Sequence, residues 1–250
     1  MWREVNDMRT LFLRVMLFVA VVCFAWSSSG VEISSLPVRG LHVTAPKPGE
    51  MADCLRFIRE AIPKEGVNIL VMEFGYRYQF TRRPEVVDSD ALTRDDVKSI
   101  VGACREAGAR LIPQINLLGH QSWAKTTFGL LRAHPEFDET PGKYPANEGI
   151  YCRSYCPLHP VVHTLHDHLA KSGRTMWMWG DRFLDGEVTG LGEWEASKNG
   201  TPTDLRQIPK DIVICDWHYQ AAPPTALHFA IEGFPVVSAP YRRPGVALAQ

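Results

Sequence analysis

Side chains that suit the binding of a sugar stand at the ends of several apolar segments in this sequence. The segment Leu111–His120 (LIPQINLLGH) is apolar and stops in a Gly-His turn, so that His120 comes just past its end. Aromatic rings stack on the C–H faces of pyranoses, and charged side chains make strong hydrogen bonds to hydroxyl groups. The candidate substrate-binding residues at such ends are Arg39, His120, Trp179, Asp181, Trp194, Trp217 and Tyr241. The candidate proton donors are the carboxylates of Glu73, Asp181 and Glu193.

The elements that must position these residues are six short apolar segments that alternate with amphipathic ones. Short apolar runs rich in β-branched and aromatic residues are typical of buried parallel strands. The predicted strands are Val38–Thr44, Val67–Phe74, Ala109–Asn116, Thr175–Asp181, Asp211–Trp217 and Phe234–Ala239. The predicted helices are Glu50–Ile62, one that begins after Thr93 and ends at Gly108, Ser122–Ala133, His163–Lys171 and Ala226–Glu232.

This alternation predicts an α/β fold built from right-handed βαβ units. A (β/α)₈ barrel and an open doubly wound sheet both fit, and in either fold the candidate residues meet where the strands end. A barrel requires eight strands. Six are recognisable, and the stretch from His120 to Arg174 has no convincing strand.

The first 29 residues have the features of a secretory signal peptide. Arg3, Arg9 and Arg14 precede the apolar run Val15–Trp26, and small residues follow it. A retained membrane anchor is the alternative, but the run is shorter than the roughly 20 residues that a spanning helix needs. We therefore expect a secreted or periplasmic domain over residues 36–250 that does not contact the membrane after cleavage of the signal.

The composition and the cysteine spacing limit the kinds of ligand that the chain is expected to bind. The formal net charge of -1 gives no indication of nucleic-acid binding. The spacing of Cys152, Cys156, His159 and His163 invites a zinc interpretation. That spacing is atypical and two prolines interrupt it, so that a local disulfide or free thiols are favoured over a metal site.

The order of the motifs resembles the barrel domain of glycoside hydrolase family 20, the β-N-acetylhexosaminidases. Arg39-Gly40-Leu41 looks like the first-strand R-G motif of that family, whose arginine holds hydroxyls of the terminal sugar. The sequence from Ile112 to Asn116, with Gly119-His120, looks like its I-P-E-I-D…G-H motif, and Met178–Asp181 resembles its later Trp-bearing strand. The resemblance covers roughly Val38–Arg243. It implies a TIM-barrel-like α/β fold, incomplete at about six of eight strands, a carbohydrate ligand with terminal N-acetylhexosamine, and no cofactor.

The chain departs from the family pattern at the residues that carry the chemistry. Gln114 and Asn116 replace the usual carboxylates. The family uses an adjacent Asp-Glu pair after its fourth strand, in which Glu is the general acid and Asp orients the acetamido group of the substrate. After His120 the chain has one Asp-Glu dipeptide, Asp138-Glu139, in a loop, and the unit that would carry the pair is expected near Val161–Thr164 but is missing. The resemblance therefore implies substrate-assisted, retaining hydrolysis that is impaired, and the alternative is a non-catalytic sugar-binding remnant or an inactive fragment.

Overall fold

The computed structural model describes residues 36–116, 119–138, 140–150, 152–154, 161–192, 194–198 and 200–250. The expected signal peptide lies outside these residues. Within the described ranges, no helix has both the length and the apolar character needed to cross a membrane.

The first half of the described chain forms a three-stranded parallel sheet with two helices on one face. The strands β1 (Gly40–Thr44), β2 (Ile69–Glu73) and β3 (Arg110–Gln114) lie in that order. The helices α1 (Met51–Glu60) and α2 (Arg94–Glu106) connect them and bury apolar residues of the strands. The register aligns Thr44, Glu73 and Gln114, which brings the carboxyl ends of all three strands to one level.

The predicted boundaries of α2 are confirmed by its caps. The hydroxyl of Thr93 accepts a hydrogen bond from the backbone N–H of Asp96, and the Asp96 carboxylate accepts one from the N–H of Thr93. This reciprocal pair satisfies two backbone donors that the first helical turn leaves unpaired. Gly108 then takes a φ of +70°, a conformation that glycine adopts without steric cost, and the chain turns into β3.

The segment after β3 differs from the prediction. In place of one helix over Ser122–Ala133, the strands β4 (Ser122–Trp123) and β5 (Thr126–Thr127) form a short antiparallel hairpin, and α3 covers only Gly129–Ala133. The hairpin is favoured by distant contacts, because the N–H of Gln121 donates to the carbonyl of Arg153 and the hydroxyl of Ser122 accepts from the N–H of Arg153. Helical periodicity does not encode contacts of this range. Two 3₁₀ turns follow, Pro135–Phe137 and Pro145–Asn147.

The second half forms another three-stranded parallel sheet. After helix α4 (Val161–Lys171), the strands β6 (Trp177–Trp179), β7 (Val213–Asp216) and β8 (Val236–Ser238) lie in sequential order. The short helices α5 (Gly186–Thr189), α6 (Thr225–Ile231) and α7 (Pro244–Ala249), with 3₁₀ turns at Asp181–Phe183 and Thr201–Gln207, complete this half. Its core includes the fully buried Phe183, Ile214 and Phe229. All six predicted strands are thus present, and the α/β class with parallel sheets is confirmed.

Candidate functional site

The carboxyl ends of β1–β3 carry a chain of side-chain hydrogen bonds. The Nε2–H of His42 donates to Oε1 of Gln114 over 2.8 Å, and Nε2 of Gln114 donates to Oδ1 of Asn116 over 3.2 Å. Nδ2 of Asn116 then donates to Oε1 of Glu73 over 2.6 Å. Alternation along the strands places these side chains on one face, opposite the helices. An amide both accepts and donates hydrogen bonds, so Gln114 and Asn116 can link His42 to Glu73. Carboxylates at these two positions would instead repel the carboxylate of Glu73.

His120 lies beside this chain with its backbone in the left-handed region, at a φ of +52°. Such a φ is uncommon for a residue with a Cβ and often marks a functional position. Partial burial of the ring lowers the pKa of His120, with Arg182 acting in the same direction, while the carboxylates of Asp181 and Glu73 oppose the shift. The imidazole is therefore neutral near pH 7 and can donate one hydrogen bond and accept another. Paired donor and acceptor nitrogens suit a sugar hydroxyl.

Replacing Asn116 by aspartate is expected to raise the pKa of His120. The change places a second carboxylate beside Glu73 and removes the donor that Glu73 now uses. Added negative charge favours the imidazolium form, so the direction is upward. Titration of the His120 ring by NMR measures the shift, and loss of the hydrogen bond should lower the free energy of unfolding by roughly 1–3 kcal/mol. Asn116→Ser, which adds no charge, is the control; equal His120 titrations in both variants would contradict this electrostatic account.

Trp179 and Asp181, at the end of β6 in the second sheet, lie beside His42 and His120. The Trp179 ring meets the His42 ring edge-on, with centroids 5.8 Å apart, so that β6 faces β1 at this point. Just after β6, the largely buried Asp181 pairs with the guanidinium of Arg182 at 3.0 Å. Asp181 and Glu73 both act on the pKa of His120. The ends of the two sheets therefore surround a common space.

Four aromatic side chains form a wall on the second sheet. The rings of Trp194 and Trp217 are perpendicular, with centroids 6.3 Å apart. Tyr219 lies 4.7 Å from Trp217 and 5.1 Å from Tyr241, measured between ring centroids. Trp194 and Tyr241 remain about half exposed. This aromatic wall (Trp194, Trp217, Tyr219 and Tyr241) offers flat apolar faces of the kind that bind pyranose rings.

Tyr219, an aromatic residue that follows the end of a predicted strand, connects the aromatic wall to Asp181. Burial raises the pKa of Tyr219, and the nearby charges of Asp181 and Glu195 and the phenol of Tyr241 add to this effect. Asp181 thus lies close to both Tyr219 and His120. The available sequence signal was the spacing of Tyr219, two residues after Trp217 at the end of a predicted strand.

Arg39 is not placed with the other candidates. Its guanidinium donates to the carbonyls of Gly66 (2.6 Å) and Leu36 (2.7 Å), at the amino end of β1. Five residues of β1 separate Arg39 from the carboxyl edge, roughly 15 Å at the rise of an extended strand. The motif suggested a sugar contact, but the strand direction places Arg39 at the opposite edge of the sheet.

The remaining sequence candidates lie elsewhere or outside the described residues. The carboxylate of Asp138 is buried and bound by Arg153, while Glu139 and Glu193 are not among the described residues. Of the zinc alternative, Cys152 is buried, and Cys156 and His159 are again outside the described ranges. The acid candidates that the structure brings to the site are therefore Glu73 and Asp181.

The arrangement of strands is shared with a solved glycosidase. The chitobiase of Flavobacterium johnsoniae (FjGH20) superposes over 81% of this chain and 38% of its own length, with a TM-score of 0.54 and 16% sequence identity. This chain has the fold of a family 20 glycoside hydrolase. The resemblance of the sequence motifs to family 20 is thereby confirmed at the level of the fold.

Two other solved structures with related descriptions superpose less closely. The β-N-acetylhexosaminidase of Bacteroides fragilis NCTC 9343 gives a TM-score of 0.49 at 15% identity, over 80% of this chain and 49% of that one. A family 20 β-N-acetylglucosaminidase gives 0.48 at 13% identity, over 82% and 52%. The chain thus spans about half the length of these proteins or less. No protein-family model matches the sequence, and no curated protein matches it.

Proposed function

We propose that this chain is a glycoside hydrolase of the β-N-acetylhexosaminidase type that binds terminal N-acetylhexosamine and turns it over slowly. One observation carries the proposal: His120, Glu73 and Asp181 lie together with Trp179 and the aromatic wall at the carboxyl ends of two parallel sheets. In barrel enzymes the active site is built at this end of the strands.

The proposed architecture is an incomplete (β/α)₈ barrel with six of its eight strands. The two parallel sheets supply three strands each. The contact between His42 on β1 and Trp179 on β6 supports a curved arrangement in which the inner faces of both sheets line one cleft. The superposition with the Flavobacterium chitobiase over 81% of this chain supports the proposal.

Slow turnover follows from how the two carboxylates are engaged. Glu73 accepts a hydrogen bond from Asn116, and Asp181 pairs with Arg182. One oxygen of each side chain is therefore engaged by a neighbouring donor, whereas a general acid must donate a proton to the leaving oxygen. General acid catalysis contributes about 10²–10⁴-fold to rate. The loss of most of this factor leaves sugar binding as the stronger of the two activities.

A nitrophenyl N-acetylglucosaminide tests the proposal, because nitrophenolate leaves with little help from an acid. We expect slow release of nitrophenol by the purified chain, little changed by Asp181→Asn or Glu73→Gln. With N,N′-diacetylchitobiose, whose leaving oxygen needs a proton from an acid, we expect at least a tenfold further reduction by Asp181→Asn or Glu73→Gln. The variant that causes the larger reduction identifies the residual acid. Asp211→Asn is the matched control, because Asp211 is an exposed carboxylate that pairs with His166 at 2.9 Å. Absence of both turnover and binding of N-acetylglucosamine would refute the proposal.

A further inference from the structure

A buried histidine directly follows Trp217 and lies between two carboxylates. His218 has no solvent exposure, and its Nδ1 lies 2.7 Å from Oε2 of Glu195. On the other side of the ring, Nε2 lies 3.4 Å from Oδ1 of Asp216, within ion-pair distance. That nitrogen makes no hydrogen bond to any described residue. The ring is thus held by one strong hydrogen bond and by the charge of a second carboxylate.

The charge of this cluster depends on a proton on His218. Burial on its own lowers the pKa of His218, but the carboxylates of Asp216 and Glu195 outweigh burial, and the pKa is raised. Asp216 is itself fixed, because its Oδ2 accepts a hydrogen bond from the hydroxyl of Thr225 over 2.8 Å at the start of α6. Removing one partner from a buried ion pair leaves an uncompensated charge. The charge on the protonated imidazole therefore strengthens the bond that holds Glu195 beside the end of β7.

Glu195 and His218 are each adjacent in sequence to a tryptophan of the aromatic wall. Glu195 directly follows Trp194, and His218 directly follows Trp217. One ion pair therefore fixes both tryptophans, whose rings meet at 89° with centroids 6.3 Å apart. The loop has further backbone anchors, since Ala196 N–H donates to the Gly192 carbonyl and Ser197 N–H donates to the Leu184 carbonyl. Next to the half-exposed Trp194, the carboxylate of Glu195 adds a side-chain anchor through its bond to His218.

We propose that His218 is a positioning residue: paired with Glu195 across the end of β7, it holds Trp194 against Trp217 and so completes the aromatic wall. The role of the wall in sugar binding rests on the proposed function. The positioning of the loop does not, and it is measured separately below.

The direction of the pH dependence follows from the raised pKa of His218. A histidine whose folded-state pKa exceeds its unfolded value of about 6.5 adds stability below that value and loses it as the pH rises through the folded-state pKa. The groups that face this ring are the carboxylates of Glu195 and Asp216, and Glu195 also faces the phenol of Tyr219. Deprotonation at Nε2 leaves a lone pair against Asp216 and removes the charge that strengthens the bond from Nδ1–H to Glu195. The loop is therefore held most firmly at mildly acidic pH and less firmly as the pH rises.

Hydrogen exchange and calorimetry test the role in the full chain. In His218→Gln, we expect protection factors of the Glu195, Ala196 and Ser197 amides to fall at least tenfold and the Kd for N-acetylglucosamine to rise about tenfold. In the wild type, the same protection factors should decrease as the pH rises through the raised pKa of His218, and His218→Gln should remove this dependence. His166→Gln is the matched control, because His166 pairs with Asp211 away from the aromatic wall. It should change neither readout.

The outcomes separate the two proposals. Glu195→Gln retains an acceptor for Nδ1 but removes the charge, and it replaces His218→Gln if the latter does not fold; it should flatten the pH dependence of loop protection. Unchanged loop protection in both variants, or a wild-type loop that does not respond to pH, would overturn the positioning role. If the loop responds as expected but the wild type neither binds N-acetylglucosamine nor releases nitrophenol, the positioning role stands and the proposed function fails.

Discussion

Replacing Trp217 by alanine is expected to weaken the binding of N-acetylglucosamine about 30-fold. Trp217 is the central member of the aromatic wall, since its ring contacts both Trp194 and Tyr219. Truncation removes the flat face and leaves both neighbours without support. Central aromatic residues of binding sites commonly contribute about 2 kcal/mol, and each 1.4 kcal/mol corresponds to a factor of about ten in affinity. Isothermal titration calorimetry at millimolar sugar measures the change.

Two variants test whether the loss of affinity is specific to the aromatic ring at position 217. Trp217→Phe retains a ring in the same position and should keep most of the affinity. Phe57→Ala removes an aromatic side chain that is 40% exposed on α1, on the helix side of the first sheet, and should leave the affinity unchanged. Near-ultraviolet circular dichroism checks that each variant is folded. If Trp217→Ala binds the sugar as tightly as the wild type, the aromatic wall is not part of the site.

The elements of the fold were predictable because their signals are local. Each strand is a short apolar run, and the pattern of β2, with Leu70 and Met72 fully buried, follows directly from its composition. The start of α2 was predictable for a similar reason, because Thr93 and Asp96 supply the capping groups three residues apart. Interactions between residues close in sequence leave a periodic or spaced pattern that can be recognised in advance.

The contacts that form the site were harder to predict from the sequence because they join residues that are far apart in it. The contact of His42 with Trp179 joins the two sheets, and His42 carries no motif that would indicate it. Arg39 shows a different limitation: its motif was recognised, but the residue directly precedes β1, and its guanidinium binds the carbonyl of Gly66 at the amino end of that strand. Motifs name the residue types of a site, whereas strand direction and register decide which of them meet.

The amides at Gln114 and Asn116 illustrate how sequence and structure inform each other. The sequence has amides at both positions, where the resemblance to family 20 implies carboxylates. The structure adds that each amide accepts a hydrogen bond through its oxygen and donates one through its nitrogen, in a chain that ends at Glu73. A carboxylate at position 116 could not donate to Glu73. The polar groups of both amides are thus paired within a hydrogen-bond network.

Replacing Arg153 by alanine is expected to lower the free energy of unfolding by about 3–5 kcal/mol, the usual cost of breaking a buried ion pair. The Arg153 guanidinium binds the carboxylate of Asp138, the carbonyl of Tyr144 and the side chain of Asn147. The side chains of Arg153 and Asp138 are only 12% and 6% exposed, so alanine leaves a buried carboxylate without its cation. Urea denaturation measures the loss.

Arg153 also contacts the hairpin next to His120, so its substitution should affect the candidate sugar-binding site. The carbonyl of Arg153 accepts from the N–H of Gln121, and the Gln121 side chain in turn accepts from the hydroxyl of Tyr76 over 2.7 Å. We therefore expect weaker N-acetylglucosamine binding even at temperatures where the variant stays folded. The double variant Arg153→Met with Asp138→Leu removes both charges and should recover at least half of the lost stability, because no buried charge is left unpaired. Arg56→Ala breaks an exposed pair with Asp53 and should cost less than about 1 kcal/mol. Equal losses in Arg56→Ala and Arg153→Ala would show that the Asp138 pair is no more stabilising than a surface contact.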